Sequence, residues 1–370
     1  MEIPMLDLKE QYRSLREEIN RQLEEVMSKG QFILGDNVRK LEEQVASFSN
    51  VRYGVGVASG SDAIHIALLA CGVQAGHEVI TPAFTFFATA GAVARIGAVP
   101  VFVDIDPRTY NLNPAAVERA VTEKTKAVIP VHLYGQMAEM DAIVKIAEKY
   151  DLAVVEDAAQ AIGARYKGKA PGELGRAAAY SFFPTKNLGA YGDGGMIVTD
   201  DGELAEKMRV LRVHGSKPKY YHHVLGYNSR LDELQAAVLR VKFPHLERWN
   251  RLRQEKAAYY TRLFQEKLDG QIATPFVEEY NTHVFHQYTI RAKKRDQLQA
   301  YLKEQGIASM VYYPKPLHLQ PVFAGLGYQE GDLPETEKAA KEVLSLPMYP
   351  ELKGEQHEYI VSKIVEFYER

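Results

Sequence analysis

Cysteine is nearly missing from this chain. Cys71 stands alone among 370 residues, which leaves no disulfide framework and no cysteine-rich metal cluster. No charge of one sign dominates: 45 Lys and Arg face 48 Asp and Glu, a formal net charge of −3. That balance offers no basic footprint for nucleic acid and no attraction to an acidic membrane surface. No apolar run approaches the roughly 18 residues of a membrane span. The opening stretch, MEIPMLDLKEQYRSL, is charged early and lacks the apolar segment of a secretory signal. Internal repeats, low-complexity tracts and Pro/Gly-rich linkers are absent as well. The expectation is a soluble cytoplasmic protein, long enough for one large α/β domain and a smaller one.

What is present is a change of period along the chain. Tyr12, Leu15, Ile19, Leu23 and Val26 recur at steps of three and four, which predicts an amphipathic helix over 9–29 with Gly30 as its cap. Val38, Leu41, Val45 and Phe48 mark a second helix. From about residue 50, short apolar runs alternate with helical ones: GVGVA, HEVITPAF, VPVFVDI, KAVIPVHL and LAVVED. Such runs between helices predict a parallel sheet covered on both faces. Ligands of these sheets sit beyond the strand C-termini. After about residue 235 the chain becomes helical and charged, then offers two strand-like pieces, FHQYTIRA and ASMVYYP. We expect a large domain over 1–245 and a small α+β domain over 246–370. The charge runs REEINRQLEE and ERWNRLRQEK mix both signs and read as solvated helix faces.

Four pieces fall where such a sheet presents its ligand. ASGSDA (58–63) joins a strand to a helix; its free N–H groups suit a phosphate, or it is a plain helix start capped by Ser61 or Asp62. TPAFTFFATA (81–90) carries Phe84, Phe86 and Phe87, of which one could stack on a flat ligand or all could be core. VVEDAAQA (154–161) sets Glu156, Asp157 and Gln160 after a buried strand; Asp157 either faces the crevice or caps the next helix. SFFPTKNLGAYGDGG (181–195) places Lys186 between aromatics and glycines. A desolvated lysine has a lowered pKa and is a Schiff-base nucleophile. Pyridoxal phosphate needs this set together: a lysine, a carboxylate for the pyridine nitrogen, an aromatic on the ring face, and a helix N-terminus for the phosphate. No piece is specific alone, but the ordered set is. The G-x-G-x-x-G spacing of a nicotinamide-dinucleotide enzyme is not met by VGVASGSDA.

The chain resembles the DegT/StrS sugar aminotransferases of fold type I. The resemblance rests on SFFPTKNLGAYGDGG, EDAAQAIGARYKGK, VDIDPRTYNLNP, YGQ at 134–136, GYNSRLDELQAA and SLPMYP, all in the family's order. It implies that Lys186 carries the cofactor and that Asp157 partners the pyridine nitrogen. It also implies Gln160 beside the cofactor's 3-oxygen, Phe86 on the ring, and Gly60, Ser61 and Ser181 at the phosphate. Asn228 would reach the phosphate across a homodimer interface. The implied substrates are L-glutamate and a nucleotide-linked keto-sugar. The segment VYYPKPLH, with Tyr312, Tyr313 and His318, would lie near the sugar, although many relatives have histidine where Tyr312 stands. Arg230 and Lys315 are candidate partners for a sugar carboxylate. The stretch YYHHVLGYNSRLDELQAAVLRVKF looks closest to enzymes that aminate C3. Enzymes acting at C4 tend to carry an aromatic where this chain has Ser229, whose small size would leave room for a different tilt of the hexose. The expected product is an amine at C3 of a dTDP-3-oxo-6-deoxyhexose or a UDP-3-oxo sugar. The alternatives are a C4 aminotransferase and a non-catalytic regulatory protein on the same scaffold. No metal site is expected.

Overall fold

The computed structural model describes residues 1–268 and 270–370. Two helices open the chain, α1 (Leu8–Lys29) and α2 (Asp36–Phe48). Gly30 ends α1 in the left-handed conformation, at φ 66°, as its position after the last apolar turn predicts. The chain then alternates through β1 (Tyr53–Val57), α3 (Gly60–Ala70), β2 (Glu78–Pro82), α4 (Phe87–Arg95) and β3 (Val99–Val103). Next come α5 (Pro114–Ala120), β4 (Thr125–Val128), α6 (Met140–Tyr150) and β5 (Ala153–Asp157). After these follow β6 (Arg165–Tyr166), β7 (Ala177–Ser181), β8 (Gly195–Thr199), α7 (Gly202–Leu211) and α8 (Glu233–Lys242).

Seven strands form one sheet in the order β1-β8-β7-β5-β4-β2-β3. Neighbours from β7 to β3 pair in parallel, while β8 runs antiparallel to both β7 and β1. The reason lies in the connections. A parallel return needs a crossover, usually helical; residues 182–194 carry no α-helix and turn straight back into β8. The strand period sorts the core into two layers. Val154, Ala178 and Val198 face α2, α6 and α8, whereas Val155, Ala177 and Ile197 face α3 and α7.

The second half begins with α9 (Leu246–Lys267), then β9 (Ile272–Ala273), β10 (Asn281–Thr282), β11 (Tyr288–Ala292) and α10 (Arg295–Glu304). It ends with α11 (Pro334–Glu342), β12 (Val343–Leu346) and α12 (Gly354–Glu369). Strands β12, β11 and β9 form a small antiparallel sheet over a core of Tyr260, Phe264, Leu298 and Ile360. Ile3 joins this core and bridges Ile307, so the first residues pack with the last third of the chain. The segment ASMVYYP is not a strand. Only Met310 makes a bridge, to Ser345, and the ladder expected there is made by VLSL (343–346), which is β12. Tyr312 and Tyr313 turn instead to line the large cavity.

Candidate active site

A cavity of about 570 Å³ opens at the C-terminal ends of β5 and β7. It is roofed by the second half of the chain through His286, Gln287, Leu346 and Met348. These two strands are direct neighbours, with Asp157 opposite Ala179. Asp157 ends β5, and Lys186 sits in the loop after β7, so both reach the same space. No α-helix follows β5 directly, which removes the helix-cap role that Asp157 could otherwise have had.

The Lys186 loop is held from below. Its N–H donates to the Phe183 carbonyl, and Ala190 N–H to that of Phe182, each at 2.8 Å. The buried Lys242 donates to the Gly189 carbonyl at 2.7 Å and lies 4.1 Å from the Tyr191 ring centre. Lys186 itself is half-buried and lines the cavity. Desolvation pulls its amine down to about 8, and the nearby Asp157 charge partly opposes this. The glycines and aromatics of the motif thus bring one lysine of lowered pKa to the sheet's edge.

Asp157 is 5% exposed. Its Oδ2 accepts from the Thr89 hydroxyl at 2.7 Å, and its Oδ1 from the Ala159 N–H at 3.1 Å. Thr89 spends its one proton there, so the Thr85 hydroxyl, 3.1 Å away, must donate to Thr89. Burial raises the Asp157 pKa, while the Thr89 and Ala159 hydrogen bonds and the Lys186 and His132 charges pull it back. Strand alternation sends the adjacent Glu156 to the other face. There it accepts from His132 Nε2 at 2.7 Å and from the N–H groups of Gly172 and Gly175. The two neighbouring carboxylates therefore have separate tasks, one in the cavity and one inside the core.

The start of α3 forms the other end of the cavity. Its cap is Ser59, which accepts from the Asp62 N–H at 3.1 Å. Neither Ser61 nor Asp62 caps it, contrary to expectation, and Ser61 is left to line the cavity beside Gly60 and Ser181. A Cβ on Gly60 would lie 2.6 Å from the Ser181 Cβ, so only glycine lets the helix start meet the strand end. Of the three phenylalanines, Phe84 is core and Phe87 stacks on Phe323. Phe86 alone lines the cavity, with its ring 6.1 Å from that of Tyr313. Gln160 accepts from the Tyr134 N–H at 2.6 Å and donates to the Tyr313 hydroxyl at 3.1 Å.

Other candidates lie elsewhere. Asn228 and Arg230 line a separate open groove with Asp232 and Gln235, which meets the main cavity at Ser59 and Asp193. Ser229 is buried, donates to Asp62 at 2.8 Å and accepts from the Ala58 N–H. It therefore ties loop to helix and does not line the cavity. His318 is buried against Glu337 at 3.1 Å and does not line the cavity. Lys315 lies outside the lining too.

Three lining or supporting residues escaped the sequence reading. Thr89 holds Asp157. His286 is buried, faces Asn187 Oδ1 at 3.2 Å, and is kept neutral by burial and by the Lys186 and Arg253 charges. Arg253 belongs to ERWNRLRQEK, read as a solvated face, yet it is 3% exposed. Its signal was available: Trp249, Arg253, Ala257 and Tyr260 share the buried stripe of α9.

These groups fit pyridoxal phosphate. A lysine of lowered pKa shares the cavity with a buried carboxylate, and a helix start too tight for a side chain lines it as well. Residues 13–365 match the DegT/DnrJ/EryC1/StrS aminotransferase family. The chain belongs to this family. A protein of Geobacillus stearothermophilus named a pleiotropic regulatory protein is 70% identical, over 100% of this chain and 99% of its own. A UDP-N-acetyl-3-dehydro-alpha-D-glucosamine 3-aminotransferase of Acidithiobacillus ferrooxidans is 50% identical, over 96% and 95%. The crystal structure of S. venezuelae DesV superposes with a TM-score of 0.96 at 43% identity, covering 100% of this chain and 99% of that one.

Proposed function

We propose that this aminotransferase moves the amino group of L-glutamate to C3 of a nucleotide-linked 3-oxo sugar, with pyridoxal phosphate as cofactor. The observation that carries the reading is the pair Lys186 and Asp157, one in the loop after β7 and one at the end of the adjacent β5, lining one cavity. The bound cofactor would supply an electron sink for the carbanion formed when a proton leaves the donor carbon. Lys186 would hold the cofactor covalently and, once released, carry the proton between the two carbons involved. Its amine, near 8, can both take and give that proton close to neutral pH. Asp157, fixed by Thr89 and Ala159, would keep the ring nitrogen protonated. Gly60, Ser61 and Ser181 would hold the phosphate, and Phe86 would cover the ring. Tyr312 and Tyr313 would face the sugar.

We place the site at the interface of a cytoplasmic homodimer, because Asn228 opens on a groove beside Ser59 rather than into its own cavity. A uridine-linked sugar moves ahead of a deoxythymidine-linked one, since the relative of 50% identity is named for a UDP sugar. The relative named as a 3-aminotransferase supports C3, whereas Ser229 is buried and takes no part in the choice. A regulatory role is favoured only by the name of the first relative, and the complete set of groups argues for catalysis. The test is turnover of UDP- and dTDP-linked 3-oxo and 4-oxo hexoses with glutamate, the product read by NMR. We expect nitrogen on C3; amination confined to C4 would refute the regiochemistry, and no transfer with any of them would refute the reaction.

A further inference from the structure

We propose that Arg253 is the carboxylate anchor of the cavity and that it holds a carboxylate of the amino-acid donor. The inference rests on the transaminase reading and adds to it a residue that positions one of the two substrates. Arg253 lines the same cavity as Lys186, and among the described residues they are its two cationic side chains. Its Nη1 donates to the carbonyls of Met348 at 2.8 Å, Phe285 at 3.2 Å and His286 at 3.4 Å. Its Nε has no partner among the described residues. Among the described residues the one carboxylate whose charge reaches it is Glu351, without a hydrogen bond. A buried cation with no paired anion is costly. A ligand that brings its own carboxylate would remove that cost.

The surroundings select which ligand. Arg253 Nη1 donates to the His286 carbonyl at 3.4 Å, and the His286 ring meets Asn187, the neighbour of Lys186, at 3.2 Å, so the three groups share one end of the cavity. Met5, Leu6, Leu346 and Met348 also line the cavity, and all four are apolar. An amino-acid donor carries its amine and a carboxylate on the same carbon. The amine must come to the atom where Lys186 works, which puts the carboxylate a few ångströms away. With Lys186 engaged in the chemistry, Arg253 is the remaining fixed cation there. A guanidinium already oriented by three carbonyls needs little further ordering to bind.

The test compares Arg253→Gln and Arg253→Lys with the wild-type holoenzyme. Absorbance of the bound cofactor follows its conversion by L-glutamate and, separately, by n-propylamine, which has no carboxylate. Calorimetry measures binding of glutarate, a dicarboxylate without an amine. With Arg253→Gln, kcat/KM for glutamate should fall about 100-fold, the size of a lost charge-assisted pair. Glutarate binding should weaken in parallel, and Arg253→Lys should recover part of both. The propylamine rate and the KM for the keto-sugar should stay within about twofold of wild type. Equal losses with glutamate and propylamine would make Arg253 a structural clamp and overturn the anchor role. So would a loss confined to the KM of the sugar. A wild-type enzyme that takes no amine from glutamate would instead refute the transaminase reading, and the anchor with it.

Discussion

Replacing Asp157 by Asn should change the chemistry of Lys186 in the cofactor-free chain. In the structure the Lys186 amine lies near 8 against an ordinary 10.5, because burial disfavours its charge. That displacement is worth about 3 kcal/mol at 1.36 kcal/mol per tenfold. At pH 7.5 it makes roughly a quarter of the amine neutral, against roughly one part in a thousand for an ordinary lysine. Asp157 is the one charge that pulls the other way. Removing it should therefore lower the Lys186 pKa further and raise the neutral fraction at pH 7.5. Competitive labelling with acetic anhydride across pH 6–11, read by mass spectrometry of the peptide containing Lys186, reports this directly. Wild type should show a midpoint near 8 and Asp157→Asn a lower one. The holoenzyme variant should nonetheless lose turnover by a factor of at least about 100. A wild-type midpoint near 10.5 would refute the desolvation argument. A midpoint that rises in Asp157→Asn would refute the assigned coupling.

Thr89→Val removes the hydroxyl that donates to Asp157, so the Asp157 pKa should rise and kcat should fall about tenfold with little change in either KM. The measure is a pH–rate profile, whose acid limb should move to higher pH. Lys242 is fully buried and its amine is lowered to about 8 by burial. Between 8 and 10.5 the unfolded chain binds the extra proton, so stability should rise with pH through that window. Urea unfolding at pH 8 and pH 10 should show this rise diminished in Lys242→Met, along with a loss of about 1–3 kcal/mol for the orphaned Gly189 carbonyl. Mixing Lys186→Ala with Asn228→Ala chains should restore activity if Asn228 serves the partner's site, because one hybrid site then keeps both residues. No recovery, with heterodimers shown to form and Asn228→Ala impaired alone, would place Asn228 in its own chain's site.

The period of the chain by itself determined the two opening helices, the five apolar strands up to residue 157, and the crevice beyond them. It did so because a strand buried on both faces and a helix capped by glycine leave local patterns that need no knowledge of the neighbours. Lys186, Asp157 and the turn at 58–63 were noticed for the same reason, each being attached to an element end, whereas Phe86 was singled out from Phe84 and Phe87 only by the family resemblance. What runs through space was not legible. The reversal of β8 follows from a connection without a helix. The replacement of ASMVYYP by VLSL (343–346) in the small sheet depends on where Tyr312 and Tyr313 found their contacts. Ser229, His318 and Arg253 show the limit most plainly. Whether a serine, a histidine or an arginine meets a ligand, a carboxylate or water depends on what the fold packs against it. Only the tertiary structure buried Ser229 against Asp62, paired His318 with Glu337, and left Arg253 charged and unpaired beside Lys186.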